Sequence, residues 1–464
     1  MEPIGMDALL ALTGRWSAGR GPLYLLLASR LRQLIEAGEL PDGCLLPPDR
    51  RLASALAVGR STVVAAYDVL RQEGRLARVQ GSGTRVRAEP VSPTTDAGRN
   101  PLFAHLLDRP DDGVLHLTCA APDDLPPEFA AAHTRALTEL TGGLGIHPRG
   151  VPSLRRALAD RYTDRGVPTT PDQILVTTGA QQALALLTRL LLAPGDAVLT
   201  ETPTYPGAIE LFRDASAVLH TVPVTDAGLD VDAFAAAMRT VRPALAYLTP
   251  SFHNPTGSLV PVFGRQRLAR AAAELRIPLI DDEVLVDLGF SDHPVPVAAY
   301  MSDVITVGSL SKLVWGGLRV GWIRADAATV GKLARLRAMH DLGGNTLSQL
   351  AAAHLVHDLD TVRRHRVTLL RERHDHLVAL LRRHLPDWRF TPALGGQTLW
   401  VTLPDTDASI YAQAALRLGV AVLPGSAFDP AGGGRAQLRV PFVAAPATLT
   451  EVVHRLAAAW APAR

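Results

Sequence analysis

The chain contains the stretch Gly308-Ser309-Leu310-Ser311-Lys312, and Arg319 follows seven residues later. Lys312 is one of only two lysines among 464 residues, against 45 arginines. A guanidinium stays protonated at any ordinary pH, whereas a desolvated lysine amine can lose its proton and condense with an aldehyde. Lys312 is therefore a candidate imine-forming residue, and the motifs around it indicate the fold and the chemistry.

Short apolar runs that alternate with helical patterns precede this stretch. The runs are residues 173–177, 197–199, 244–248 and 278–280. Such alternation predicts an α/β fold with a mainly parallel sheet from about residue 113 to the end. In these sheets ligands bind beyond the carboxyl ends of the strands. The polar residues that follow each run therefore predict one site at that edge.

Three polar motifs follow these strands. They are Thr178-Gly179-Ala180-Gln181-Gln182, His253-Asn254-Pro255-Thr256-Gly257 and Asp281-Asp282-Glu283. The first motif opens an alanine- and leucine-rich helix, and the backbone amides and dipole of a helix N-terminus suit a phosphate. The sequence therefore predicts an anion-binding group, a buried acidic group and an amine close together.

The N-terminal part of the chain has a different charge. Residues 15–87 hold twelve arginines and six acidic residues, although the whole chain has a net charge of only +2. Helical spacing predicts helices at 23–38, 50–56 and 61–72, with Ser61 as the cap of the last, and two short strands joined by residues 80–83. This is a helix-turn-helix followed by a basic hairpin wing, a pattern typical of DNA binding.

The remaining composition limits the class of protein. Residues 88–112 are rich in Pro and Asp and predict a linker. Cys44 and Cys119 are too few for a disulfide framework and have no metal-ligand spacing, so no metal site is predicted. No signal peptide and no membrane-spanning apolar run is apparent, and we expect a cytoplasmic protein that does not contact a membrane.

Residues 15–87 resemble the winged helix-turn-helix of GntR-type bacterial regulators. The matching stretches are Leu46-Pro47-Pro48-Asp49-Arg50-Arg51-Leu52-Ala53, Val58-Gly59-Arg60-Ser61-Thr62-Val63 and Gly81-Ser82-Gly83-Thr84. The resemblance implies DNA contacts by Arg50, Arg60, Ser61, Thr62, Gln80 and Gly81. Pro48 departs from the family, which usually has serine there; a proline can begin a helix but offers no hydroxyl to a phosphate.

Residues 113–464 resemble the fold-type I pyridoxal 5'-phosphate (PLP) enzymes of the class I and II aminotransferases, including a smaller C-terminal subdomain. The resemblance implies that Lys312 forms the Schiff base with PLP and that Asp282 pairs with the pyridine nitrogen. It also implies a substrate carboxylate contact by Arg439. The remaining cofactor contacts that it implies are Asn254 at the ring hydroxyl, Tyr205 on the ring face, and Gly179, Ala180, Gln181, Ser309 and Arg319 at the phosphate.

Two departures from the aminotransferase pattern bear on turnover. Leu285 stands where the family commonly has a tyrosine three residues after the pyridine-binding aspartate. Ile146 stands where a tyrosine often reaches the phosphate of a neighbouring subunit, with His147 as a substitute. Each lost hydrogen bond costs on the order of 1 to 3 kcal/mol if its partner stays buried and unpaired. We therefore expect PLP binding with weakened catalysis.

The two resemblances in one chain match the MocR (GabR-like) family of bacterial transcriptional regulators. That family implies a homodimer, arranged head-to-tail, that binds paired DNA half-sites and senses PLP or a small amino compound. A working aminotransferase with an accessory N-terminal domain is the main alternative. A third interpretation is a regulator that has lost PLP and uses the fold only to dimerise.

Overall fold

The computed structural model describes most of the chain, as two compact units. The described residues are 4–14, 16–18, 22–36, 38–72, 75–79, 83–87, 113–291 and 293–460. One unit holds the described residues up to Arg87 together with two short segments, 192–196 and 212–218, and the other holds the rest. The predicted linker 88–112 and the predicted DNA contacts Gln80 and Gly81 lie outside the described residues.

The described part of residues 4–87 is a small helical unit with a three-stranded sheet. Its helices are α1 Met6–Thr13, α2 Leu23–Glu36, α3 Asp49–Ala55 and α4 Arg60–Gln72. Its strands are β1 Leu45–Leu46, β2 Leu76–Val79 and β3 Gly83–Val86, and β3 pairs antiparallel with both others. We call α4 the recognition helix because it is the second helix of the helix-turn-helix.

The apolar faces of these helices form the core of the unit. Leu31 of α2, Leu52 of α3 and Val63 of α4 are fully buried and belong to one cluster. The recognition helix begins at Arg60, one residue earlier than predicted. Ser61 therefore lies inside the first helical turn, and its predicted role as the cap is wrong.

The larger unit is built on an eight-stranded sheet. Its strands are β5 Ile174–Thr177, β6 Ala197–Thr202, β7 Val218–Thr225, β8 Gly228–Leu229, β9 Leu245–Leu248, β10 Leu279–Asp282, β11 Ile305–Ser309 and β12 Gly321–Arg324. The order is β5-β12-β11-β10-β9-β6-β7-β8. The pairs β6/β9, β9/β10 and β10/β11 are parallel, whereas β12 is antiparallel to both of its neighbours. The predicted mainly parallel α/β sheet is confirmed.

Several strands of the sheet are buried along their whole length. Every residue of β5, β9, β10 and β11 is buried; β9, β10 and β11 lie inside the sheet, whereas β5 is its edge strand. The covering and flanking helices are α5 Glu128–Glu139, α6 Pro152–Asp164, α7 Ala180–Leu191, α8 Pro206–Asp214, α9 Val231–Val241, α10 Val262–Leu275, α11 Ala327–His340 and α12 Thr346–His357.

A smaller C-terminal part follows the 26-residue helix α13, Leu359–His384. It contains β13 Arg389–Phe390, β14 Thr398–Thr402, α14 Ala408–Arg417, β15 Val420–Ala421, β16 Leu423–Pro424, β17 Gln437–Pro441 and α15 Pro446–Trp460. Its sheet has the order β13-β14-β17-β16, and β15 pairs in parallel with β4, Leu115–His116. Among the described residues no helix is long and apolar enough to cross a bilayer.

Candidate functional site

Lys312 lies three residues beyond the end of β11, in the middle of the sheet edge. Its Nζ donates a hydrogen bond to the backbone oxygen of Ala120 at 2.6 Å. Burial lowers the pKa of the Lys312 amine, and the nearby guanidinium groups of Arg439 and Arg319 lower it further. A lysine in such surroundings reaches its neutral, nucleophilic form more readily than an exposed one.

Asp282 ends β10, the parallel neighbour of β11. The hydroxyl of Tyr247 donates to its Oδ2 at 2.7 Å, and the backbone N–H of Val284 donates to its Oδ1 at 3.1 Å. Burial raises the pKa of Asp282 to about 6, although these two donors act in the opposite direction. Asp282 is therefore mostly ionised at neutral pH and offers a buried negative charge.

An anion-binding cup lies where α7 begins. Gly179 has a φ of +86° and follows β5, and a Cβ there would lie only 2.7 Å from Nη2 of Arg319. Nη2 of Arg319 also donates to the backbone oxygen of Thr178 at 2.7 Å. The backbone of residues 179–181 and the Arg319 guanidinium therefore form one cup, which suits a phosphate.

Two serines of the Lys312 loop are linked by hydrogen bonds within this loop. The hydroxyl of Ser309 donates to Oγ of Ser311 at 3.0 Å, and the Ser311 N–H donates to Oγ of Ser309 at 3.1 Å. Both side chains are buried. The loop is thereby fixed directly before Lys312.

The side chain of Tyr205 is fixed by a residue in the first turn of α7. Its hydroxyl donates to Oε1 of Gln181 at 2.9 Å. A Cβ on Gly207 would lie 2.5 Å from the Tyr205 ring, so only glycine fits there. Burial raises the pKa of Tyr205 to about 12, and the ring stays neutral at physiological pH.

Arg439 lies on β17 and is 3% exposed. Its Nη1 donates to Oδ1 of Asn254 at 3.5 Å, and its Nη2 donates to the backbone oxygen of Thr118. The guanidinium lies over the Phe428 ring at 4.9 Å. Burial lowers the pKa of Arg439 to about 10, so it remains charged. No described residue pairs with its buried Nε, which leaves capacity for a carboxylate.

The structure thus brings together the predicted site residues of the larger unit. It also adds residues that sequence reasoning missed: Thr118 and Ala120, whose backbone oxygens accept from Arg439 and Lys312, and Tyr247. The exposed Cys119 lies between Thr118 and Ala120 in the sequence. Nothing in the sequence marked this segment, because it lies about two hundred residues before Lys312.

Two further acids are buried near Asp282. Glu201 accepts the N–H of Thr249 at 2.7 Å, and Asp281 accepts the N–H of Val297 at 3.1 Å. Burial raises the pKa of each to about 8. Both carboxyl groups are therefore largely protonated at neutral pH, and Asp282 is the ionised member of these three.

The two departures from the aminotransferase pattern have different surroundings. Leu285 is buried in the main apolar core, so no hydroxyl is offered at that position. Ile146 is 47% exposed in the segment before α6. His147 beside it is half-buried.

The residues present fit PLP. The cup at residues 179–181 with Arg319 matches a phosphate, the ionised Asp282 matches a protonated pyridine nitrogen, and the neutral form of Lys312 matches an aldehyde. The glycine at 179 leaves the space beside Arg319 that a side chain would fill. Within the described residues no group of acidic, histidine or cysteine side chains is arranged to hold a metal ion.

The predicted DNA contacts in the small unit lie on its surface. Arg50 on α3 is exposed, as are Arg60 and Ser61 in the first turn of the recognition helix, and Thr62 is half-buried. Arg50 lies in the first turn of α3, whereas Arg60, Ser61 and Thr62 lie in the first turn of the recognition helix. The N-terminal end of a recognition helix is the end that contacts base edges.

The fold and both sites define a helix-turn-helix protein with an aminotransferase-like α/β domain. The profile of aminotransferase class I and II matches residues 113–456, and that of bacterial regulatory proteins, gntR family, matches residues 23–86. The chain belongs to the aminotransferase class I and II family and carries a GntR-type DNA-binding domain, the organisation of the MocR-like transcriptional regulators.

Individual relatives support both parts of this assignment. The chain is 31% identical to the HTH-type transcriptional regulator YisV of Bacillus subtilis, over 91% of this chain and 92% of that one. It is 29% identical to the probable rhizopine catabolism regulatory protein MocR of Rhizobium meliloti, over 82% and 84%. The structure of LysN, the alpha-aminoadipate aminotransferase of Thermus thermophilus, complexed with N-(5'-phosphopyridoxyl)-L-leucine, has 31% identity, covers 79% of this chain and 96% of LysN, and gives a TM-score of 0.72.

Proposed function

We propose that this regulator binds PLP at Lys312 and that PLP, or an amino compound bound there with it, sets its affinity for DNA. The observation that carries the proposal is the convergence of Lys312, Asp282 and Arg439 in one buried site, on the same chain as a GntR-type DNA-binding domain. When bound, PLP supplies an aldehyde for covalent attachment and a ring that withdraws electrons.

The residues of the site have separate roles in this proposal. Lys312 holds the cofactor covalently, Asp282 keeps the pyridine nitrogen protonated, and Asn254 and Tyr205 orient the ring. The phosphate is held by a further set: Gly179, Ala180, Gln181, Ser309 and Arg319. Arg439 selects ligands that carry a carboxylate, because a guanidinium can donate two parallel hydrogen bonds to the two carboxylate oxygens.

Ligand binding changes DNA affinity only if two states of the protein differ in their affinity for the ligand. We propose that the occupied site favours one state of a head-to-tail homodimer. That state changes how the two DNA-binding domains, residues 15–87 of each chain beyond linker 88–112, fit paired half-sites. Such a regulator acts on the chromosome in the bacterial cytoplasm.

The test is the affinity for labelled DNA from upstream of the protein's own gene, at fixed salt, with and without PLP. We expect specific binding that shifts several-fold with PLP in the native protein and no shift in Lys312→Ala. An identical response in Lys312→Ala would contradict a role for covalent attachment. An unrelated competitor DNA separates specific from nonspecific binding.

Aminotransferase turnover is a second candidate function, favoured by the presence of Lys312, Asp282, Asn254 and Arg439 in one site. The missing hydroxyl at Leu285 weighs against it. Steady release of an oxo acid from an amino donor, with PLP bound, would establish turnover. A single stoichiometric burst would indicate a ligand that reacts once and is retained.

A further inference from the structure

Arg60, the first residue of the recognition helix, is paired with an aspartate of the preceding helix. Its Nε donates to Oδ2 of Asp49 at 2.8 Å. The other oxygen of that carboxylate, Oδ1, accepts the backbone N–H of Arg50 at 2.9 Å. One oxygen therefore fixes the Asp49 side chain on α3, and the other holds Arg60.

The pairing uses only part of the Arg60 guanidinium. The side chain of Arg60 is 55% exposed, and no hydrogen bond joins either terminal nitrogen to another described residue. A guanine offers O6 and N7 in the major groove, and the two terminal nitrogens of an arginine match them as a fork. Asp49 thus restrains the rotamer of Arg60 while the fork remains available.

Stability explains only part of this carboxylate, because an acidic side chain in the first turn of α3 adds a modest helix-dipole stabilisation. An exposed ion pair adds little to the stability of a domain. The hydrogen bond from Arg60 lowers the pKa of Asp49, so the carboxylate stays ionised. A fixed negative charge on a DNA-binding surface repels phosphates and weakens sequence-independent binding. The pair also holds the Arg60 guanidinium in one orientation before DNA binds, which lowers the entropic cost of the contact.

We propose that Asp49 is a positioning residue for DNA reading, which holds the Arg60 guanidinium for a bidentate contact with a base edge. It thereby raises the ratio of specific to nonspecific affinity and lowers the nonspecific affinity itself. This inference rests on the DNA contact proposed for Arg60. Guanine is the base whose acceptors the fork matches.

The test uses the full-length protein. Preferred duplexes are first selected from randomised DNA with the native protein, and affinities are then measured at one salt concentration for a selected duplex and for a shuffled duplex of equal composition. Asp49→Asn should lower the ratio of the two affinities roughly tenfold, with shuffled DNA bound at least as tightly as before.

Asp68→Asn is the matched control. Asp68 lies on the same recognition helix and pairs with Arg71 at 2.9 Å, so this change removes the same charge and a similar exposed pair. It should leave the ratio of specific to nonspecific affinity within about twofold of the native value, because a pair away from the base-reading turn carries no sequence information. Asp49→Glu keeps the carboxylate and should recover part of the ratio.

A double-mutant comparison shows whether Asp49 acts through Arg60. If it does, the ratio of specific to nonspecific DNA affinity is the same in Arg60→Ala as in the double variant Asp49→Asn/Arg60→Ala, because the residue that Asp49 positions is absent. Additive losses would overturn the proposal and assign Asp49 a contact of its own. Equal loss of both affinities in Asp49→Asn, or an unchanged ratio, would also overturn it. If the native protein selects no sequence, DNA reading itself fails, and this proposal fails with it.

Discussion

The two functional regions of this chain use charge in opposite ways. The predicted DNA contacts among the described residues lie within residues 50–62, and three of the four are exposed. The proposed PLP site draws residues from 118 to 439, and its acids and cations are mostly buried. Exposed arginines keep a constant charge, which suits a phosphate backbone. Buried groups change their pKa, which suits covalent chemistry.

An acidic side chain depends on different surroundings in the two regions. In the small unit Asp49 pairs with Arg60 in the presence of solvent, where the attraction is screened. In the larger unit Asp282 ends a buried strand, and its ionisation depends on a tyrosine hydroxyl and a backbone amide. Substitutions in the buried site should therefore have the larger effects.

The largest effect on PLP binding is expected for Asp282→Asn. Removing the buried negative charge leaves the pyridine nitrogen of PLP without its partner, and we expect PLP affinity to fall more than about a hundredfold. Absorbance titration with PLP measures this. Asp281→Asn is the control, since Asp281 is largely protonated and its neutral isostere should change the affinity less than about threefold. An equal loss in both variants would contradict the assignment of charge to Asp282.

Glu201→Gln should change the pH dependence of stability. The pKa of Glu201 is about 8 in the folded protein against an ordinary value of 4.5, so the folded state retains a proton that the unfolded state has lost between these values. The free energy of unfolding therefore falls as pH rises through that window. At pH 8 Glu201→Gln should be more stable than the native protein by roughly 3 to 5 kcal/mol, and at pH 4 nearly equal.

Calorimetry at the two pH values measures this change in the transition of the larger unit. Glu274→Gln is the control, because Glu274 is exposed. It should shift stability by less than about 0.5 kcal/mol at either pH. A Glu201→Gln protein that loses stability equally at pH 4 and pH 8 would show that the carboxyl is not protonated in the fold.

Tyr247→Phe should have an intermediate effect. Its hydroxyl lowers the pKa of Asp282, so its removal moves that pKa above 6 and lets Asp282 protonate nearer neutral pH. PLP affinity at pH 6.5 should fall roughly tenfold, with a smaller loss at pH 8.5. Tyr411→Phe removes the hydroxyl of another buried tyrosine, which donates to Leu456, and should leave the pH profile of PLP binding unchanged. A loss of equal size at both pH values would count against electrostatic tuning.

The smallest effect is expected for Arg50→Ala in the exposed region. Loss of one phosphate contact should weaken specific and nonspecific DNA binding equally, by several-fold, and reduce the slope of log affinity against log salt by about 1. Arg71→Ala is the control, because Arg71 pairs with Asp68 in the last turn of the recognition helix. A change confined to specific DNA would instead identify Arg50 as a base contact.

Much of the architecture was predictable from local patterns. Mostly apolar runs of strand length identified β5, β9 and β10, and for β9 and β10, which lie inside the sheet between parallel neighbours, the lack of polar alternation is expected. The polar motif after each strand identified the edge at which Asn254 and Lys312 both lie. The helix-turn-helix was also predictable from the sequence, although the predicted start of α4 was wrong by one residue. Helix ends depend on local hydrogen bonds that composition does not fix.

The sequence by itself determined which residue types are present in each functional region. These are a scarce lysine, a strand-terminal aspartate, and arginines at the start of short helices. Only the tertiary structure decided their chemical state. Tyr247 reaches Asp282 across neighbouring strands, and Ala120 and Thr118 meet Lys312 and Arg439 from about two hundred and three hundred residues away in sequence. A pKa depends on burial and on partners in space, and the chain brings those partners together only when it folds.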